Sequence, residues 1–284
     1  MNAKFPIGKV ILAGAGPGDP DLVTIKTANY LQQADVVLTD RLVSKVILNR
    51  YVRPGAQILE VGKQCRRGVS TPQATINELM VQYASEGKFV VRLKGGDVSF
   101  FSNVLDELEI LTSHGIPYEI VPGVTAASGA AAYAGIPLTA RDHATAVRFV
   151  TYYTSTIVSE AYWKELAATD DTLVFYMSSE TIDSLVQHLL DNGIAGDKKL
   201  AVIEQATTTY QQVYVSDIYA YQQKWKGQTY LSPSLIIIGK VVGLQESFGW
   251  FKGSNLREYY FKPLTSTVKS IVPNESAKIY AGRA

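Results

Sequence analysis

The stretch Gly14-Ala15-Gly16-Pro17-Gly18-Asp19-Pro20 follows directly on the apolar run Val10-Ile11-Leu12-Ala13. A glycine-rich turn after a first buried strand is the usual seat of a nucleotide phosphate, but these residues oppose one. The dinucleotide pattern G-x-G-x-x-G needs a third small residue where Asp19 stands, and it rests a pyrophosphate on backbone N–H groups at a helix start. Pro17 and Pro20 have no N–H, and the Asp19 carboxylate would repel phosphate. The turn suits a ligand that comes close to backbone and carries no phosphate.

Four further clusters of glycine or charge follow apolar runs: Asp40-Arg41, Gly62-Lys63, Lys94-Gly95-Gly96-Asp97 and Pro122-Gly123-Val124-Thr125-Ala126. In open α/β sheets ligands collect at the carboxyl ends of strands, so five such ends point to one shared cleft. Asp40 has three readings: the ribose-binding carboxylate of a dinucleotide site, which the first loop disfavours, a general base or substrate-orienting carboxylate, or a surface partner of Arg41. His114, His143 and His188 are too scattered for a spaced metal-ligand motif, so no metal is expected. No G-x-S-x-G elbow marks a hydrolase nucleophile. His188, beside Leu189-Leu190, reads as a packing histidine, and His114 before Gly115 as a helix C-terminal residue.

The elements that must position these residues alternate. Val10–Ala13, Val36–Thr39, Ile58–Val61, Phe89–Leu93 and Tyr118–Val121 read as strands; Thr24–Gln33, Thr71–Glu86 and Val104–His114 repeat apolar residues at helical spacing. Ser70-Thr71-Pro72-Gln73 reads as a helix start, a hydroxyl cap with proline in the first turn. The alternation predicts an α/β domain over 1–138 with a parallel sheet. After Arg141 the strands Arg148–Thr151, Thr172–Tyr176, Leu200–Glu204, Gln212–Val215 and Ser234–Ile238 include a close pair suited to a hairpin, predicting a mixed sheet over 144–251. Gly135-Ile136-Pro137-Leu138-Thr139 reads as the linker. Residues 252–284 read as a polar tail on the surface or partly disordered.

The chain has 284 residues, 46% of them hydrophobic, enough for one large or two medium cores. Its 27 basic and 26 acidic residues argue against bulk capture of nucleic acid or anionic membrane. Cys65 is the single cysteine, no apolar run approaches the roughly 20 residues of a membrane span, and the first residues lack a signal-peptide layout. A cytoplasmic protein is expected.

Taken in order, these stretches resemble one family. Val10 to Asp19, Asp40-Arg41-Leu42-Val43-Ser44, Val61-Gly62-Lys63, Ser70-Thr71-Pro72-Gln73 and Val90-Val91-Arg92-Leu93-Lys94-Gly95-Gly96-Asp97 are similar to uroporphyrinogen-III C-methyltransferases. So are Val121 to Ser128, Ala134 to Thr139, Thr172 to Met177 and Ser232 to Gly239. The resemblance implies a two-domain tetrapyrrole methylase fold, with a parallel N-terminal sheet, a mixed C-terminal sheet and the active site between them. It also implies a homodimer, S-adenosylmethionine as methyl donor (S-adenosylhomocysteine as its product) and a tetrapyrrole substrate on the route to sirohaem, cobalamin or haem d1. By position, Pro17, Gly95, Gly96, Asp97, Phe100, Thr125, Ala126, Met177 and Ala206 take cofactor-binding places. Asp40 and Lys63 take those of the proton acceptor and donor. Substrate carboxylates need cations, for which Arg41, Arg66, Arg67 and Arg141 are candidates; Asn103 and Asp106 occupy substrate-side places.

The chain departs from the family where Gly-Gly-Asp usually continues Pro-Phe-x-Phe-Gly-Arg-Gly-Gly-Glu-Glu. Asn103 replaces the arginine and cannot make its bidentate carboxylate contact; Val104 and Leu105 replace two glycines. Val69 and Ala140 stand for usual histidines. The losses fall on the substrate side. Three readings are therefore open: a working uroporphyrinogen-III methylase, a relative with another tetrapyrrole substrate or weak activity, and a non-catalytic S-adenosylmethionine-binding protein.

Overall fold

A computed structural model describes residues 7–64, 69–153 and 158–261. Cys65, Arg66, Arg67 and the tail from 262 lie outside the described residues, as does the side chain of Lys63.

The first half runs β1 (Lys9–Gly14), α1 (Ile25–Leu31), β2 (Val36–Thr39), α2 (Lys45–Tyr51), β3 (Gln57–Glu60), β4 (Lys63–Gln64), β5 (Val69–Ser70), α3 (Gln73–Ser85), β6 (Phe89–Lys94), α4 (Val104–Ser113), β7 (Tyr118–Val121) and α5 (Ala126–Ala134). Five strands make a parallel sheet in the order β3-β2-β6-β1-β7. Their side chains alternate between faces: Val10, Leu12, Leu38 and Val90 pack under α3 and α4, while Ile11, Ala13, Val37, Val91 and Leu93 pack under α1 and α2. Both faces are covered, which is why the strands are near-continuous apolar runs. Thr24 and Ser44 cap α1 and α2 by accepting from the N–H groups of Thr27 and Ile47. The predicted hydroxyl cap of α3 does not form. Extended Pro72 is its N-cap and no side chain caps it, because the chain enters the helix from the β4–β5 ribbon rather than through a serine turn.

β1 and β6 are neighbours, yet the chain leaves β1 toward the α1–α2 face and leaves β6 toward the α3–α4 face. A crevice therefore opens between their carboxyl ends. There the loop backbones touch. Gly16 and Gly96 exchange hydrogen bonds of 3.1 and 2.8 Å, and the N–H of Ala15 donates to Lys94 O at 2.8 Å. A Cβ on Gly14 would lie 2.6 Å from Gly96 O, and one on Gly123 only 2.3 Å from the same atom.

The second half runs β8 (Val147–Thr151), α6 (Glu160–Ala168), β9 (Thr172–Tyr176), α7 (Ile182–Asp191), β10 (Lys199–Glu204), β11 (Gln212–Asp217), α8 (Tyr221–Lys224), β12 (Ser234–Gly239) and α9 (Gln245–Phe248). Its sheet has the order β11-β10-β12-β9-β8, with β8 parallel to β9 and the other pairs antiparallel. The expected hairpin is β10–β11. One face buries Phe175, Val202 and Ile236 under α6, α7 and α8, where His188 stacks on Trp163 at 4.7 Å. The other face buries Val174, Ala201, Ile203 and Ile237 against the alanines of α5. Although α5 follows the first sheet in the chain, it packs on the second and so joins the two halves.

The start of the tail, residues 250–261, forms a strap along the surface that buried polar groups receive. Arg257 donates to Glu204, which is fully buried, at 2.8 Å. The Gln205 side chain donates to Glu258 O and accepts from the Tyr260 N–H, both at 2.7 Å, and Phe261 is buried. Among the described residues no helix is long and apolar enough to cross a membrane.

The glycine contact predicts a graded response to a single methyl group. Gly123→Ala must push backbone against backbone and is expected to cost about 3 kcal/mol, the upper end of overpacking. Gly115→Ala, at φ +62° with open space around it, is expected to cost about 1 kcal/mol. Denaturant unfolding of both variants checks the ranking.

Candidate active site

Asp97 follows the β6 turn and is 7% exposed. One carboxylate oxygen accepts from the Ser99 N–H and the other from the Gly123 N–H, both at 2.8 Å. Charge-assisted bonds of this kind are short and strong, and these clamp the loop after β6 to the loop after β7. Asp97, an expected cofactor-binding residue, thus shapes the Gly95–Gly96 and Gly123–Ala126 walls.

Beyond Gly123 the chain enters α5 through Thr125, and here the second sheet reaches over. The Tyr176 hydroxyl, at the end of β9, lies 2.7 Å from Thr125 Oγ1 and accepts from the Ala127 N–H at 3.1 Å. It satisfies one of the free N–H groups of the helix start. Burial raises the Tyr176 hydroxyl above its ordinary pKa, so it stays protonated. Sequence reasoning missed this residue because it reads as an ordinary strand position.

Aromatic rings line the same place. Phe100 meets Phe149 edge-on at 5.3 Å, Phe101 lies 5.0 Å from Tyr176, and Phe149 lies 5.9 Å from Tyr176. Phe100 and Phe101 are exposed, as is Met177, whose sulfur accepts from the Tyr153 hydroxyl at 3.1 Å. Phe101, Asn103, Met177, Gln205 and Thr207 all have left-handed backbone without being glycine. Such conformations are costly and collect at functional sites.

The opening loop closes against the second half. Its Pro17 ring packs on Gly129 of α5, where a Cβ would lie 2.5 Å from it. Gly18 sits over Ala206 and Thr208. The Asp19 N–H donates to Thr207 Oγ1 at 3.0 Å, while its carboxylate accepts from the Asp21 N–H and from the Tyr133 hydroxyl at 2.6 Å. Burial and that carboxylate push the Tyr133 hydroxyl up to about 12. Asp19 is thus a strut between the halves, besides being hostile to phosphate.

On the other flank, Asp40 follows β2, and one of its oxygens accepts from the Leu42 N–H at 3.0 Å. Arg41 points across to the second half: it donates to Ser232 Oγ at 3.1 Å and to Phe261 O at 3.4 Å. This candidate substrate cation is held by the strap. Lys63 begins the β4–β5 ribbon, paired with Ser70. Asn103 is the N-cap of α4 but makes no side-chain cap bond; Asp106 is exposed in that helix's first turn, and Arg141 is exposed in the Ala140–Ala144 turn. Pro17, Gly95, Gly96, Asp97, Thr125, Ala126, Met177 and Ala206 therefore gather around the crevice with Phe100. Asp106 and Arg141 share none of these contacts. Among the described residues no group of three or more His, Cys, Asp or Glu could hold a metal.

Neither Ala15 nor Gly16 has a spare N–H for a phosphate. The crevice offers carbonyls, aromatic faces, a thioether and a helix start, a surface that fits a nucleoside without phosphate. Comparison with known proteins agrees with this geometry. Residues 9–221 match the tetrapyrrole (corrin/porphyrin) methylases. A siroheme synthase of Pseudomonas paraeruginosa is 45% identical over 252 residues, 89% of this chain but 54% of that protein, so the chain spans about half the length of that relative. Among solved structures, a uroporphyrin-III C-methyltransferase from Thermus thermophilus is 32% identical with a TM-score of 0.71, covering 87% of this chain and 99% of that one. The Thermus enzyme complexed with S-adenosylhomocysteine is 33% identical with a TM-score of 0.68, covering 83% and 93%. The two five-stranded sheets, one parallel and one mixed, with a crevice where backbone meets backbone, are those of the tetrapyrrole methylases, and this chain belongs to that family.

Proposed function

We propose that the protein transfers methyl groups from S-adenosylmethionine to carbon atoms of uroporphyrinogen III, giving precorrin-2 by way of precorrin-1, on the route to sirohaem, cobalamin or haem d1. One observation carries this reading: the likeness to a uroporphyrin-III C-methyltransferase extends over 99% of that enzyme, both sheets included.

S-adenosylmethionine, when bound, supplies a methyl group already activated by its sulfonium. The chain must then bring it into line with a nucleophilic pyrrole carbon. Pro17, Gly95, Gly96, Thr125, Ala126 and Ala206 would hold the nucleoside by backbone and close packing, with Phe100 and Met177 against its apolar parts and Asp97 fixing the walls. As the new carbon–carbon bond forms and the carbon–sulfur bond breaks, the ring becomes cationic and must lose a proton. Asp40 would accept it, and Lys63 would be the proton donor. Arg141, Asp106 and Asn103 would face the substrate; Arg41 reaches it only by releasing Ser232 and the strap. The catalytic unit comprises the lobes 1–138 and 144–251, works as a homodimer and belongs in the cytoplasm.

Calorimetric titration with S-adenosylhomocysteine and an anaerobic assay with uroporphyrinogen III test the proposal. Binding together with a doubly methylated product is expected. Binding with no methylated product would point to the diverged or non-catalytic readings, and absence of binding would overturn the proposal altogether. Asp97→Asn must turn an amide N–H toward one of two N–H donors, at a cost of about 1–3 kcal/mol. S-adenosylhomocysteine affinity should then fall about tenfold or more, with the far-ultraviolet circular dichroism unchanged. Asn103→Arg restores the missing cation and should raise turnover, while losing less than about 1 kcal/mol of stability because arginine tolerates left-handed backbone less well than asparagine. A rate equal to that of the parent would show that position 103 does not limit the reaction.

A further inference from the structure

Beneath the crevice lies a cluster of charges that takes no part in the reaction described above. Arg92 and Lys94 on β6 and Glu107 on α4 have side chains only 5, 4 and 0% exposed. Glu107 accepts from Arg92 Nε at 3.1 Å and from Lys94 Nζ at 2.8 Å. Arg92 Nη1 also donates to the carbonyls of Leu38 and Leu93, at 3.2 and 3.3 Å. Two buried cations thus share one carboxylate, and an uncompensated buried charge is strongly unfavourable. The second anion comes from the neighbouring strand. β2 and β6 pair with Thr39 opposite Leu93, so the next residues, Asp40 and Lys94, stand side by side at the carboxyl edge. Asp40 interacts electrostatically with Lys94. Arg92, Glu107, Lys94 and Asp40 together are neutral.

We propose that Lys94 is a positioning residue whose ammonium, anchored by Glu107, holds the Asp40 carboxylate at the end of β2 and aimed at the crevice. This rests on the reading of Asp40 as the proton acceptor. Other groups near Asp40 do not replace Lys94. Arg41 turns away to Ser232 and Phe261, Arg92 is spent on Glu107 and two carbonyls, and the Asp40 carboxylate is steadied from its own turn by the Leu42 N–H. Lys63, on the β4–β5 ribbon, enters as a proton donor. Burial lowers the proton affinity of Lys94, while Glu107 and Asp40 oppose that drop, so the ammonium depends on both carboxylates. A carboxylate held beside a ring that turns cationic also steadies that charge as it develops.

The test is the titration of the Asp40 carboxyl, followed by carbon-13 NMR in the full chain, alongside the acid limb of kcat/KM. Removing a neighbouring cation raises a carboxyl pKa, so Lys94→Met should move both upward by about one pH unit or more. Lys94→Arg, which keeps the charge, should return both toward the parent. If methionine at 94 does not fold, Lys94→Gln, which can still hydrogen-bond Glu107, gives the same comparison. An Asp40 titration that stays at the parental pH in a folded Lys94→Met or Lys94→Gln variant overturns the inference. A shift of Asp40 with an unmoved acid limb supports it and instead removes Asp40 from the role of proton acceptor.

Discussion

The oxygen of Gly96 is the atom around which the site is built. It accepts from the Gly16 N–H, and it sits where any side chain on Gly14 or Gly123 would have to go. Three loops, from β1, β6 and β7, therefore meet backbone to backbone, with only hydrogen atoms between them. Contact this close leaves no room for relaxation, since packed interiors yield little to an added methyl group. It also uses up the Gly16 and Gly96 N–H groups, which are therefore not free for a ligand.

From that point outward, each wall is fixed by a polar group from another element. Asp97 ties the β6 loop to the β7 loop, and Tyr176 ties the start of α5 to the second sheet. Asp19 links the first loop to Thr207 and to Tyr133. The strap reaches from Glu204 and Gln205 across to Arg41. The halves are thus joined through groups that line the crevice itself.

Most of the fold is legible in the sequence where strands are buried on both faces. Val36–Thr39 and Thr172–Tyr176 are bounded in the structure as the apolar runs bound them. The exposed edge strand Gln57–Glu60 is shifted by one residue from its reading, because only Ile58, Leu59 and Val61 mark it and its other positions are polar. The charged cluster is not legible at all. Arg92 and Lys94 look like ordinary ends of a strand and Glu107 like a solvated helix residue, since a one-dimensional pattern does not show which charges share a buried space. The strap escapes for a related reason: its anchors, Glu204 and Gln205, lie some 50 residues away in the chain. Family motifs locate the crevice because glycines at strand ends are local features. The groups that hold it in shape are long-range contacts.

Backbone strain gives an independent argument for where the chemistry sits. Of six non-glycine residues with left-handed backbone among the described residues, five, Phe101, Asn103, Met177, Gln205 and Thr207, lie in loops that border the crevice and the sixth, Asp142, in the Ala140–Ala144 turn; each costs about 1 kcal/mol or more. Such conformations persist only where surrounding contacts over-determine them. Gln205 has the strap and Thr207 has Asp19, whereas Phe101 and Met177 are exposed and are held chiefly by ring and thioether contacts. Asn103 has no cap bond to offset its conformation. Asparagine is among the non-glycine residues least penalised there, so the residue at 103 suits the local backbone. The walls of the crevice are thus built on contacts that fix them, while the start of α4 is left to the backbone preference of Asn103 itself.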